Sequence, residues 1–141
     1  MIFLGTFEHA LDTKNRLVLP SKFVNNLTKK VIISKGFDGC LECRSEKDFT
    51  LYSEKLMSLS QTKKDTRIVI RQLLANAADI EIDSAKRVLI PLTLLKEANI
   101  SKDITIIGVG NKIELWDKAI YNKFKNETDK SYEAIAEKLN E

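Results

Sequence analysis

Apolar and polar positions alternate in short runs along most of the chain. Ile2 to Leu4 and, after Gly5, Thr6 to Leu11 read as extended segments that lead into the polar cluster Asp12-Thr13-Lys14-Asn15. Arg16-Leu17-Val18-Leu19 leads out of it, so the pattern predicts two strands joined by a short polar turn. Pro20 stops strand pairing and presets the dihedral for a helix start, with Ser21-Lys22-Phe23 following at helical spacing. Val31-Ile32-Ile33 predicts a buried strand, Lys35 to Gly39 a turn, and Cys40-Leu41-Glu42-Cys43 the returning strand. Ser45 fits a helix N-cap ahead of the apolar contacts Phe49, Leu51, Tyr52 and Leu56.

The same order then returns. Asp83, Arg87 and Pro91 each lie 71 positions after Asp12, Arg16 and Pro20, and the two prolines are the only ones in the chain. Scattered prolines would seldom coincide in this way, and the repeat reads as an internal duplication. A second hairpin follows in this half as well: Ile104 to Ile107, the turn Gly108-Val109-Gly110-Asn111, and Lys112 to Trp116, with Glu114 lying 72 positions after Glu42. Asp117 to Tyr121 opens the equivalent helix. Between the halves, Ser58 to Asp65 is a polar connector. Ile68, Leu73, Leu74 and Ala77 predict an amphipathic helix within Thr66 to Ala78, although Ile68-Val69-Ile70 alone also fits a strand. Tyr132, Ile135, Ala136 and Leu139 predict a last helix that docks on this chain or on a neighbour. The expected division is a first half over residues 1–57, a partly helical connector over 58–77, a second half over 78–124 and a helical tail over 125–141.

Composition narrows the class. At 141 residues the chain suffices for one ordinary domain or for two small halves sharing a core, and the duplication favours the second. Hydrophobic residues at 43% and charged residues at 30% are globular proportions, so disorder is not the default. A net charge of +3 permits an acidic partner without announcing one. The opening Met1-Ile2-Phe3-Leu4-Gly5 has no basic leader and too short an apolar run for a signal peptide, and no stretch approaches the roughly 20 apolar residues that cross a bilayer. The expectation is a cytoplasmic protein with no membrane contact.

Candidate chemistry is sparse. His9, the one histidine, lacks the nucleophile and orienting group that would make it a catalytic base, and reads as an ordinary strand residue. Cys40 and Cys43 have redox spacing, yet positions three apart on a strand face opposite ways, and no helix start follows to lower a thiol pKa. A thiol oxidoreductase is therefore a weak rival, a four-ligand metal site from two cysteines and one histidine is not expected, and no cofactor or small-molecule substrate is called for. No glycine loop of the phosphate-cradling type occurs among the five glycines. The five arginines say more, since Arg16 and Arg87 hold equivalent places in the duplicated turns. A planar five-donor fork there points to bidentate recognition or to a fixed ion pair. Lys14 and Lys22 near Arg16, and Lys86 beside Arg87, cluster positive charge at two related turns. Asp12 and Asp83, at the first position of each turn, can accept backbone N–H bonds and hold the guanidinium. An Asp–Arg pair that only stabilises its turn is the plain alternative. Asn15 tolerates the positive φ that the last residue of such a turn requires, and Lys86 tolerates it less well.

At these residues the chain resembles the MraZ family of bacterial transcription factors. The likeness is carried by Asp12 to Pro20, by Asp83 to Pro91, by Phe3-Leu4-Gly5 and by Ile106-Ile107-Gly108-Val109-Gly110-Asn111-Lys112-Ile113-Glu114-Leu115-Trp116-Asp117. It implies a mixed α+β fold of tandem pseudo-symmetric AbrB-like swapped-hairpin β-barrel halves with flanking helices. It implies further a nucleoid-associated, sequence-specific regulator that binds short direct repeats of double-stranded DNA. The target is the promoter of the division and cell-wall gene cluster containing its own gene, and the protein acts as a homo-oligomeric ring. By this analogy Arg16 and Arg87 reach DNA, Lys14, Lys86 and Lys22 add cationic contacts, and Asp12, Asn15 and Asp83 support the turns. The family usually has glycine before the motif arginine, where this chain has Asn15 and Lys86. An oligomeric scaffold whose Asp–Arg turns serve only subunit assembly is the alternative.

Overall fold

The computed structural model describes residues 2–140. Eight strands and six helices follow one another as β1 (Phe3–Ala10), β2 (Arg16–Val18), α1 (Ser21–Val24), β3 (Lys30–Lys35), β4 (Leu41–Ser45), α2 (Glu46–Met57), α3 (Lys64–Leu74), β5 (Ala78–Glu81), β6 (Arg87–Leu89), α4 (Leu92–Glu97), β7 (Asp103–Gly110), β8 (Ile113–Asp117), α5 (Lys118–Asp129) and α6 (Tyr132–Lys138). Strands β1, β7, β8, β4, β3 and β5 form one antiparallel sheet in that spatial order, and β2 pairs with β6 in a separate ribbon. The fold is thus mixed α and β around a large antiparallel sheet.

The duplication becomes a pseudo-two-fold axis. Leu17 pairs with Val88, its counterpart 71 positions on, and Glu42 pairs with Glu114, its counterpart 72 positions on. The first strand of each half joins the third strand of the other, β1 on β7 and β5 on β3. This corrects the hairpin predicted from the sequence. Each Asp-to-Arg turn closes locally, but the strands on its two sides do not pair with each other. A two-stranded hairpin is marginal alone, and three-residue β2 buries only Leu17, so both strands gain more from partners in the other half.

One sheet face carries the apolar core. Strand alternation directs Val31, Ile33, Leu41, Cys43, Ile104, Ile106, Ile113 and Leu115 inward, where Leu17 and Val88 of the ribbon and Phe23, Leu94 and Leu95 of α1 and α4 close over them. Phe3 and Phe7 meet the Phe23 ring edge-on at centroid distances of 5.4 and 5.1 Å. Helices cover the opposite face: Tyr52 of α2 lies over Arg44, and Tyr121 and Phe124 of α5 pack on Trp116.

Local signals were honoured at most boundaries. Ser45 caps α2 by accepting from the Asp48 N–H, Asp117 caps α5 by accepting from the Ile120 N–H, and Pro20 and Pro91 immediately precede α1 and α4. Helix prevails over strand for Ile68-Val69-Ile70, inside α3. Two glycine readings change. Gly5 does not interrupt β1, which passes through it at a φ of +103° opposite Gly108. The expected turn at Gly108 to Asn111 shrinks because β7 continues to Gly110; a Cβ on Gly108 would lie 2.5 Å from the Leu4 nitrogen, so β1 approaches too closely there for any side chain. Among the described residues, no helix is long and apolar enough to cross a membrane.

Candidate nucleic-acid interface

The two Asp-to-Arg turns are near copies in atomic detail. Asp12 Oδ1 accepts from the backbone N–H groups of Lys14 and Arg16, both at 2.9 Å, and Oδ2 accepts from Arg16 Nε at 2.7 Å. Asp83 Oδ1 accepts from Ala85 and Arg87 at 2.9 and 2.8 Å, and Oδ2 accepts from Arg87 Nε at 2.8 Å. Backbone bonds from Asn15 N–H to Asp12 O and from Lys86 N–H to Asp83 O complete each turn. The bonds stabilise the charged carboxylates. The Arg16 backbone N–H, followed by its guanidinium and the Lys14 N–H, holds the Asp12 carboxyl at about 2. Asp83 is lowered by the same set from Arg87 and Ala85.

The last turn residue is left-handed in both copies, with φ of 61° at Asn15 and 63° at Lys86. Asparagine adopts this region readily. Lysine does so at a cost of roughly 1–2 kcal/mol, sustained by the three bonds to Asp83. The second turn therefore keeps its shape despite Lys86, and the lysine also reaches across the halves, donating from Nζ to Ser21 Oγ at 2.8 Å.

Each aspartate engages its arginine through Nε, so that bond does not consume the Nη1 and Nη2 donors. Both arginine side chains are 31% exposed, so the tips are not sealed beneath neighbours. Pairing of β2 with β6 sets the turns side by side, and Arg87 Nη1 stands 3.9 Å from Asp12 Oδ2. Lys14 and Lys86 are exposed on the turns, and Lys22 is exposed on α1 next to Ser21. Four turn cations face two aspartates, so the patch is positive on a chain whose overall charge is small.

The other candidates do not assemble a site. His9 is exposed on β1 opposite Ile104. Cys40 and Cys43 are free and buried. Burial pushes the Cys43 thiol up to about 12, and burial, reinforced by Glu114 and Glu42, raises Cys40 as well, which opposes thiolate chemistry. Sequence reasoning missed a charged layer under the helices. Glu42 and Arg44 are buried in β4, with Arg44 Nη1 2.8 Å from Glu42 Oε1 in a close ion pair that lacks hydrogen-bond alignment. Lys112 Nζ donates to Glu42 Oε2 at 2.9 Å and Trp116 Nε1 donates to Glu114 Oε1 at 3.0 Å. Cys40, Glu42 and Glu114 bring ligand-type atoms within 4.8 Å of one another, but Arg44 and Lys112 both pair with Glu42 and the Trp116 indole donates to Glu114, so the trio reads as structural. The available signal was charge in mid-strand, in Leu41-Glu42-Cys43-Arg44.

Comparison with known proteins fits this duplicated geometry. The family described as "MraZ protein, putative antitoxin-like" matches the chain twice, over residues 2–72 and 73–141, one Asp-to-Arg turn in each match. The chain belongs to the MraZ family. Among its relatives, the Transcriptional regulator MraZ of Mesoplasma florum is 43% identical over 140 residues, covering 99% of this chain and 96% of the relative. Asn15 and Lys86 both take the left-handed backbone conformation that glycine adopts most readily.

Proposed function

We propose that this chain is a sequence-specific DNA-binding transcriptional regulator and not an enzyme. It binds short direct repeats in the promoter of the division and cell-wall gene cluster as an oligomeric ring. The carrying observation is the pair of aspartate-held guanidinium forks, side by side on the β2/β6 ribbon and part-exposed. An arginine fixed through Nε offers two parallel donors, the geometry that matches guanine O6 and N7 or a phosphate. Membership of the MraZ family and the name of the Mesoplasma florum relative support the same reading. The exchange of strands between the halves supports an AbrB-like swapped arrangement, with halves over 1–57 and 78–124, a connector over 58–77 and a tail over 125–141.

In this reading Arg16 and Arg87 contact bases, Lys14, Lys86 and Lys22 contact phosphates, and Asp12, Asn15 and Asp83 hold the turns. One good bidentate contact discriminates by roughly 1–3 kcal/mol, too little for a genome. A ring on spaced repeats makes later contacts intramolecular, and avidity adds about 100-fold or more. The scaffold alternative has the Asp–Arg turns serve only subunit assembly.

The test is a gel shift with a fragment from upstream of the protein's own gene against an unrelated fragment of equal length. Arg16→Ala is expected to abolish selective retardation with an unchanged circular dichroism spectrum, and wild-type affinity to fall steeply with salt. Equal retardation by Arg16→Ala and wild type refutes the assignment. Loss of assembly together with binding would favour the scaffold.

A further inference from the structure

The open face of the β2/β6 ribbon is not only cationic. Alternation puts Arg16 and Val18 of β2, with Arg87 and Leu89 of β6, on one side, and turns Leu17 and Val88 into the core at 0% exposure. Val18 is 40% exposed and Leu89 55% exposed. The register sets Arg16 opposite Leu89 and Val18 opposite Arg87, a checkerboard in which every guanidinium has an aliphatic neighbour across the ribbon. Val18 and Leu89 are themselves counterparts, 71 positions apart, so the duplication keeps an exposed aliphatic residue at the same place in both halves. Folding alone does not require this, since polar side chains at those positions would face water without loss of core.

Directly opposed residues on a ribbon have Cβ atoms about 4.5–5.5 Å apart, a little more than one base step. When one member of such a pair reads guanine, the other lies over an adjacent base pair. The one apolar group on a major-groove base edge is the C5-methyl of thymine. We propose that Val18 and Leu89 are thymine-methyl contacts, so that the ribbon reads a guanine next to a thymine once through each half. The inference rests on the DNA-binding reading above and extends it by assigning the apolar half of the recognition surface.

The experiment uses the full chain and the fragment from upstream of its own gene, amplified either with thymidine or with deoxyuridine triphosphate. Uracil pairs as thymine does but lacks the methyl group. Wild type is expected to bind the uracil fragment about fourfold more weakly for each thymine methyl that is missing beneath an aliphatic side chain, and about fifteenfold for both. The double variant Val18→Ala, Leu89→Ala is expected to bind the thymine fragment correspondingly weakly and to lose its preference between the two fragments. It should retain the wild-type melting temperature, since both positions are exposed. Equal binding of both fragments by wild type, or full discrimination by the double variant, overturns the methyl assignment and leaves DNA binding standing. Failure of wild type to prefer the thymine fragment over unrelated DNA overturns both.

Discussion

Lys86 links backbone strain to function, and substituting it separates the two. At a φ of 63° a lysine carries a steric cost that glycine avoids, and its ammonium bonds Ser21 Oγ across the halves. Lys86→Ala and Lys86→Gly both remove that bond, worth on the order of 0.5 kcal/mol at an exposed site. Only glycine also relieves the left-handed cost, roughly 1–2 kcal/mol, offset by about 0.5–1 kcal/mol for its freer unfolded chain. Lys86→Gly should therefore be more stable than Lys86→Ala by about 0.5–1 kcal/mol, or about 2–4 °C in melting temperature for a chain of this size. Urea titrations of both variants at equal concentration measure the difference, and an unchanged m-value certifies that compactness is unaltered. On the upstream DNA fragment, both variants should lose about one unit for each subunit seated on DNA from the slope of log affinity against log salt, as removal of one phosphate-neutralising cation per subunit requires. Lys86→Gly equal to or below Lys86→Ala in stability refutes the strain argument. A wild-type salt slope in both removes Lys86 from the DNA surface.

Three further outcomes follow from the same geometry. Gly108→Ala should destabilise by about 1–3 kcal/mol and weaken protection of β1 amides in hydrogen exchange, because the added carbon would lie 2.5 Å from the Leu4 nitrogen and the Phe3 carbonyl carbon. Arg44→Met leaves the buried Glu42 with Lys112 as its remaining cation and should cost about 1–3 kcal/mol in urea unfolding. The Asp12 carboxyl lies lower in the folded protein than in the unfolded chain, whose value is about 3.9. The turn's contribution is then complete above about pH 4 and lost as pH falls towards 2. An NMR titration of the Arg16 Hε resonance should follow that descent, and a midpoint near 4 would refute the arrangement.

Much of the molecule was readable before any coordinates. Asp12 and Asp83 dictate their turns through bonds that span four residues, Ser45 and Asp117 cap the helices that follow them, and Pro20 and Pro91 mark where strands stop. These are short-range effects, settled by steric limits and by backbone donors within one turn of the chain. The duplication, and with it the equivalence of Arg16 and Arg87, is likewise a property of the letters alone.

Partner choice was decided only in the folded chain. That β2 joins β6 and not β1, and that β1 joins β7, depends on burying Leu17 against Val88 and on the glycine pair that lets two backbones meet, contacts between residues 71 and 103 positions apart. Periodicity states which side of a strand is apolar and is silent on what covers it. Hence Glu42 and Arg44 went unrecognised as buried, and Val18 and Leu89 as open to solvent. A side chain's exposure is fixed by elements distant in sequence, and the two arginines lie on one surface only because both halves fold around a shared axis.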